Sequence, residues 1–152
     1  MAETARNGAV FVAGASGYIG RALVRELCAR GHRVVCLVRP HSGVGGRETP
    51  ADLARALPGA ELRVGDVSDP RSLREDGFAG ETFDAVFSCL ATRGGGIRDA
   101  WAVEFEANRV LLDAALETGV ARFVLLSAIC VQRPKLAFQQ AKLAFEESLA
   151  AS

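Results

Sequence analysis

The stretch Val10-Phe-Val-Ala-Gly-Ala-Ser-Gly-Tyr-Ile-Gly20 constrains this chain more than any other. Four residues of buried-strand character, Val10 to Ala13, run directly into glycines at positions 14, 17 and 20. An amphipathic helix then opens through Arg21 to Arg30. A strand that hands a glycine-rich turn to a helix N-terminus makes a phosphate cradle, because backbone N–H groups and the positive end of the helix dipole converge there. The glycines divide the work: one turns tightly, one lets backbone approach a pyrophosphate, and one lets helix pack on strand. Gly14, Ser16, Gly17, Tyr18, Ile19 and Gly20 are therefore candidate contacts to a dinucleotide cofactor. The spacing is GxxGxxG, which is weak evidence until its context is known.

That context is an alternation of strands and helices. Residues 9–13 read as a first strand, apolar on both faces as a central parallel strand is. The helix over about 17–30 sets Ile19, Leu23 and Leu27 at helical spacing and ends at Gly31. Val34–Val38 is a second buried strand. His41 to Arg47 is a glycine-rich loop, Thr49 caps Pro50, and 50–57 is a short helix. Glu61–Gly65 alternates as a third strand nearer an edge; Asp66–Asp69 turns, and Pro70 begins another short helix. Phe83–Leu90 is a fourth strand, followed by a loop from Thr92 to Gly96. A helix over about 98–117 is expected to bury Trp101, Phe105, Leu112 and Leu116. Arg122–Ser127 is the fifth strand, and 135–150 is helical with Leu136, Leu143 and Leu149 among its apolar positions. Five alternations predict a doubly wound parallel α/β sheet of order 3-2-1-4-5, with ligand at the carboxyl ends of strands one and four.

Composition narrows the class of partner. A chain of 152 residues is one domain by size, and 49% apolar content excludes a disordered one. Eighteen basic and eighteen acidic side chains cancel, so nothing favours nucleic acid or an anionic membrane surface. Cys28, Cys36, Cys89 and Cys130 lie scattered without a C-x-x-C pair, which reads as reduced thiols and no metal. No apolar run approaches the about 20 residues that span a bilayer. The few residues before the first strand leave no room for a signal or transit peptide, so a cytoplasmic, bacterial-cytosol location is expected.

The residues beyond the glycine loop specify the cofactor further. NAD sites place an acid after strand two to bind the ribose hydroxyls. Here that strand ends Leu37-Val-Arg-Pro-His-Ser42, without one. Arg39 is either a solvated strand-end charge or, as preferred, a guanidinium facing a 2′-phosphate, which makes the cofactor NADPH. Arg21, Ser42 and Arg47 are further candidates to assist it. Asp66 with Val67 reads as an Asx-type turn or cap before Pro70. Cys89, Leu90 and Ala91 stand at the end of strand four beside the expected cofactor, with Cys89 read as a buried, inert thiol.

The glycine spacing resembles the short-chain dehydrogenase/reductase superfamily and its extended and atypical, NmrA-like branches, which implies a Rossmann fold. That resemblance also implies an adenine-edge contact at Asp66 and Val67, so that the turn, the contact or both hold there. That superfamily commonly uses Tyr-x-x-x-Lys on the helix after strand five, with Ser at the strand end. Ser127 stands at that strand end, and Phe138-Gln-Gln-Ala-Lys142 takes the spacing with phenylalanine in place of tyrosine. The chain's one tyrosine is Tyr18. Ser127 and Lys142 are the catalytic candidates; each is equally readable as a strand-end hydrogen-bonder and an exposed helix lysine.

A narrower resemblance rests on Ser88-Cys-Leu-Ala-Thr-Arg-Gly-Gly-Gly-Ile-Arg-Asp-Ala-Trp101, on the run Phe123 to Glu146 with its Ser-Ala-Ile-Cys-Val-Gln block, and on Gly14 to Arg21. These are similar to the divinyl chlorophyllide (protochlorophyllide) 8-vinyl reductase family, over roughly residues 8–149. The resemblance implies an NADPH-dependent oxidoreductase of chlorophyll biosynthesis that reduces the C8 vinyl group of a tetrapyrrole to ethyl. Hydride addition to C=C needs no proton on a carbonyl oxygen, which accommodates the missing tyrosine. Family members continue into further strands and a substrate-binding part. The chain is therefore expected to hold the cofactor-binding half, to turn over no substrate alone, and to expose apolar surface on strands four and five and the last helix that favours self-association. Two other readings remain open: a catalytically silent NADP-binding sensor module, and another atypical reductase or epimerase.

Overall fold

Apolar strands and amphipathic helices assemble into a single parallel sheet of order β3-β2-β1-β4-β5, the expected order. The computed structural model describes residues 8–94 and 96–152. Its strands are β1 (Ala9–Ala13), β2 (Arg33–Val38), β3 (Glu61–Val64), β4 (Ala85–Ser88) and β5 (Phe123–Leu125). Helix α1 (Tyr18–Ala29) joins β1 to β2, and α2 (Pro50–Ala56) precedes β3. Helix α3 (Pro70–Ser72) runs on into a π-helical segment, Leu73–Phe78. Helix α4 (Ile97–Ala100), a π-helical segment Trp101–Ala107 and α5 (Asn108–Glu117) follow one another with helical backbone throughout, and α6 (Ala137–Ala150) closes the order.

Period-two alternation in the central strand sorts the core onto two faces. Val10 and Val12 point toward α1 and α2 with Val24, Leu27, Leu53 and Leu57. Phe11 and Ala13 point the other way, among Leu73, Phe78, Phe83, Leu111 and Ala115. Phe11, Phe78 and Phe83 form a ring cluster with centroids 4.7–5.4 Å apart. Both faces of β1 and β2 are covered, as parallel strands require.

Several expectations are corrected. β4 pairs only over Ala85–Ser88 and β5 over Phe123–Leu125, because beyond them the chain bends away to line the cleft. The helix after Pro70 is longer than expected, capped by Asp69, which accepts the Arg71 N–H at 2.9 Å. The 41–47 loop is ordered by reciprocal backbone bonds between Ser42 and Glu48 and holds a 3-10 turn, Val44–Gly46. Ile19, Leu116 and Leu136 are exposed, and Trp101 and Phe105 only half-buried. In the 97–117 helix the buried face is one residue out of phase with the aromatic one: Ala100, Glu104, Ala107, Asn108, Leu111, Leu112 and Ala115 face inward. In α6 the buried residues are Gln139, Ala141, Lys142 and Phe145. Apolar surface is exposed at Val124 on β5 and at Ile129 and Leu136 before α6, but not on β4, whose Ala85 and Val86 are buried between neighbours. No helix among the described residues is long and apolar enough to cross a membrane.

At the end of the sheet away from the cleft, Arg33 and Arg63 share Glu61 and Glu81, and Arg63 also donates to the Gly77 carbonyl at 2.6 Å. The Arg33 guanidinium first, and Arg63 second, hold the Glu81 carboxyl at about 2. A carboxyl whose folded value lies below its unfolded one stabilises above the unfolded value and loses that contribution as pH falls through the folded one. Thermal melts followed by circular dichroism are therefore expected to place wild type above Glu81→Gln at about pH 5, with the gap closing toward about pH 2.

Candidate functional site

A cleft of about 660 Å³ opens at the carboxyl ends of β1, β2 and β4. Its floor is the glycine loop. Gly14 has φ +81°, and a Cβ there would stand 2.5 Å from the Cys89 carbonyl oxygen. A Cβ on Gly20 would stand 2.0 Å from the Gly14 oxygen, so α1 starts directly over the end of β1 only because both side chains are absent. The first helical bond is Arg21 N–H to Gly17 C=O at 3.0 Å, and the N-cap Gly17 brings no side-chain cap. The N–H groups at this end of α1 lack intrahelical partners by geometry, and the residues that carry them line the cleft. Backbone donors at a helix N-terminus, with no carboxylate among the loop residues, are the donor set that fits a pyrophosphate.

Gly14, Ser16, Gly17, Tyr18, Ile19, Gly20, Arg39, Asp66, Val67, Cys89, Leu90 and Ala91, expected around the cofactor, all line this one cleft. The Arg39 side chain is exposed, and among the described residues no hydrogen bond or ion pair engages it. Ser42 lines the cleft but its hydroxyl donates to the Arg39 carbonyl at 3.1 Å. Arg21 is corrected: its guanidinium donates to the Ser16 carbonyl at 3.0 Å and pairs with Glu48, which ties the 41–48 loop to α1 and removes it from the cleft lining. Arg47 does not line the cleft either. The Asp66 Asx turn is present, Oδ1 accepting from the Ser68 N–H at 2.9 Å and hydroxyl at 2.6 Å, while Asp66 also faces the cleft. Arg93, from the loop after β4, donates across the cleft mouth to the Gly43 carbonyl.

A second cavity of about 160 Å³ adjoins the first, sharing Leu90, Ala91, Thr92, Gly94 and Leu126. Ser127, Phe138 and Lys142 line it together with Glu104. Lys142 is not an exposed helix lysine: its side chain is 3% exposed and that of Glu104 2%. Lys142 Nζ lies 2.7 Å from Glu104 Oε2 and donates to the Leu90 carbonyl at 3.0 Å. Glu104 Oε1 accepts from the Thr92 N–H at 2.7 Å and the Thr92 hydroxyl at 2.9 Å. One helical turn on, Asn108 Nδ2 donates to the Glu104 carbonyl at 2.9 Å, and its Oδ1 accepts from the Ser88 hydroxyl. Ser127 donates to Glu146. Glu104, Thr92 and Arg93 went unrecognised in the sequence reading. The available signal was Glu104 and Asn108 spaced i, i+4 on an otherwise apolar helix face.

A family model described as NAD(P)H-binding matches residues 14–152. A divinyl chlorophyllide a 8-vinyl-reductase of Zea mays, named as chloroplastic, is 51% identical over 142 residues, which is 93% of this chain and 35% of the relative. The Arabidopsis thaliana protein of the same name is 43% identical over 144 residues, 92% of this chain and 34% of the relative. The chain thus spans about a third of the length of these curated relatives. Among solved structures, the Bordetella bronchiseptica enzyme WbmG in complex with NAD superposes with a TM-score of 0.79 at 17% identity, over 100% of this chain and 52% of that one. That likeness is one of fold.

The thiols differ sharply in environment. Burial pushes Cys36 up to about 12, and raises Cys89 against a smaller opposing pull from the Lys142 charge. Cys130 is exposed. Cys89, expected to be buried, is half-buried and lines the cleft. Because the thiolate is the reactive form, labelling with iodoacetamide near neutral pH, read by peptide mass spectrometry, is expected to modify Cys130 first, Cys89 more slowly, and Cys36 only when the protein unfolds.

Proposed function

The chain belongs to the NAD(P)H-binding family, and on that premise we propose that it binds NADPH and forms the cofactor-binding part of a reductase acting on the C8 vinyl group of a divinyl chlorophyllide-type tetrapyrrole. The observation that carries the substrate assignment is 51% identity to a vinyl reductase over 142 residues, 93% of the chain. When bound, NADPH supplies the hydride. The glycine loop would hold its pyrophosphate through backbone N–H groups, and Arg39, with no acid after β2, would receive the 2′-phosphate. Asp66 and Val67 would border the adenine, Leu90 and Ala91 the nicotinamide-side ribose, and Lys142 the hydroxyls of that ribose. Ser127 stands in the same cavity as Lys142 as the second catalytic candidate.

Phe138 favours a second reading, a catalytically silent NADP-binding module, since the usual phenolic acid is missing from its place. Vinyl reduction accommodates Phe138, because no oxygen must be protonated. The buried Lys142 in the same cavity supports the enzyme reading. The exposed Val124, Ile129 and Leu136 support self-association or cover by another part of the protein.

Fluorescence titration is expected to give tighter binding of NADPH than NADH, with Arg39→Ala weakening NADPH about tenfold or more and NADH little, the size of one charge-assisted contact. Equal affinities in the unaltered protein would overturn the Arg39 assignment. Incubated with NADPH and divinyl chlorophyllide, the protein in its full natural reading frame is expected to yield pigment heavier by H2 in mass spectrometry. Bound NADPH with unchanged pigment would favour the silent module.

A further inference from the structure

We infer that Glu104 is a positioning residue for Lys142, and that the nicotinamide end of the cleft is held in shape through this one buried carboxylate. The inference rests on the reading above in which Lys142 meets the cofactor's nicotinamide-side ribose. Glu104 and Lys142 come from different helical elements, the π-helical segment after α4 and α6. They meet behind the end of β4, both almost fully buried, with Nζ 2.7 Å from Oε2. Oε2 has no hydrogen bond aligned on it. Its one partner among the described residues is the ammonium, which also donates to the Leu90 carbonyl. The other carboxylate oxygen takes both donors of Thr92. Leu90, Thr92 and Lys142 all border the second cavity, so Glu104 fixes the ammonium and the adjoining loop together.

Two features argue for positioning rather than simple cohesion. A lysine on the buried face of α6 would be replaced at lower desolvation cost by an apolar side chain if packing were its only task. The ammonium also has three protons, and with one on Leu90 and a charge contact to Glu104 it keeps donor capacity beside the small cavity. A buried ammonium stripped of its carboxylate would swing toward another partner and would no longer present that donor at the same place.

The test compares two ligands on the full chain. NADPH reaches both ends of the cleft, whereas 2′,5′-ADP carries only the adenosine half. Glu104→Gln is expected to weaken NADPH about tenfold and 2′,5′-ADP less than about twofold, the loss matching one hydrogen bond to a charged group. Lys142→Met is expected to give the same pattern, and the double variant to be no weaker than Lys142→Met alone. Equal losses for both ligands in Glu104→Gln, or additive losses in the double variant, would overturn the inference. Lys142→Met without effect on NADPH would instead overturn the placement of Lys142 at the ribose. Should Glu104→Gln fail to fold, the double variant, with no charge left unpaired, is expected to fold; its failure too would overturn the pairing.

Discussion

The structure depends on a near-contact of backbone with backbone at the end of β1. Gly14 lies against the Cys89 carbonyl and Gly20 against Gly14, at separations that leave no room for a methyl group. Because no side chain intervenes, the axis of α1 points its N-terminus over the carboxyl edge of the sheet, directly between β1 and β4. That is the switch point of the sheet, where the chain's crossovers leave toward opposite sides and a crevice must open. The cleft is thus a consequence of two glycines, Gly14 and Gly20, and of strand order, before any functional side chain is considered. Even a single methyl at Gly20 would have to displace backbone, and the helix, the loop after β4 and the crevice between them would move together.

Around this rigid floor the sheet's two ends are treated differently. Below the cleft, Arg33 and Arg63 grip Glu61 and Glu81 on the surface, where screening makes each pair worth little and only the network with the Gly77 carbonyl fixes geometry. Above it, Lys142 and Glu104 are buried. Taking two charges out of water costs several kcal/mol per ion, and mutual attraction with good hydrogen bonds at best offsets that. A fold that needed only cohesion at this point would fill it with Leu and Phe, as it does under Phe11, where the ring cluster and its neighbours bury apolar area without such a cost.

How far these features were legible follows from their distance in sequence. The glycine loop, the absence of an acid after β2 and the Thr49 cap each lie in one contiguous segment, where spacing translates directly into geometry, and the strand order follows from the regular alternation of strand and helix. The core face of the 97–117 helix was misassigned because hydropathy pointed to Trp101 and Phe105, while the inward face carries Glu104 and Asn108. A polar pair satisfied by a distant lysine and by a strand-end serine looks solvent-facing until its partners are known. Lys142 was ambiguous for the same reason. Arg21, a plausible phosphate ligand by position, is spent on the Ser16 carbonyl and Glu48, a partner that only the ordered 41–48 loop brings within reach.

The two halves of the cleft therefore differ in kind, and this bears on how a cofactor would be selected and held. At the β2 end of the cleft, Arg39 is an exposed charge. Its attraction for a phosphate is screened over about 8 Å at physiological ionic strength and discriminates by charge alone. In the smaller cavity that adjoins the β4 end, Lys142 is desolvated and fixed by Glu104 and Leu90, so salt reaches it poorly and its geometry is set before any ligand arrives. Recognition of a dinucleotide by such a cleft would be salt-sensitive in its preference for the 2′-phosphate and salt-insensitive in the placement of the nicotinamide. Under the function proposed above, that division would suit hydride transfer, in which identity is read once at the outer end and a fixed ring is needed at the inner one.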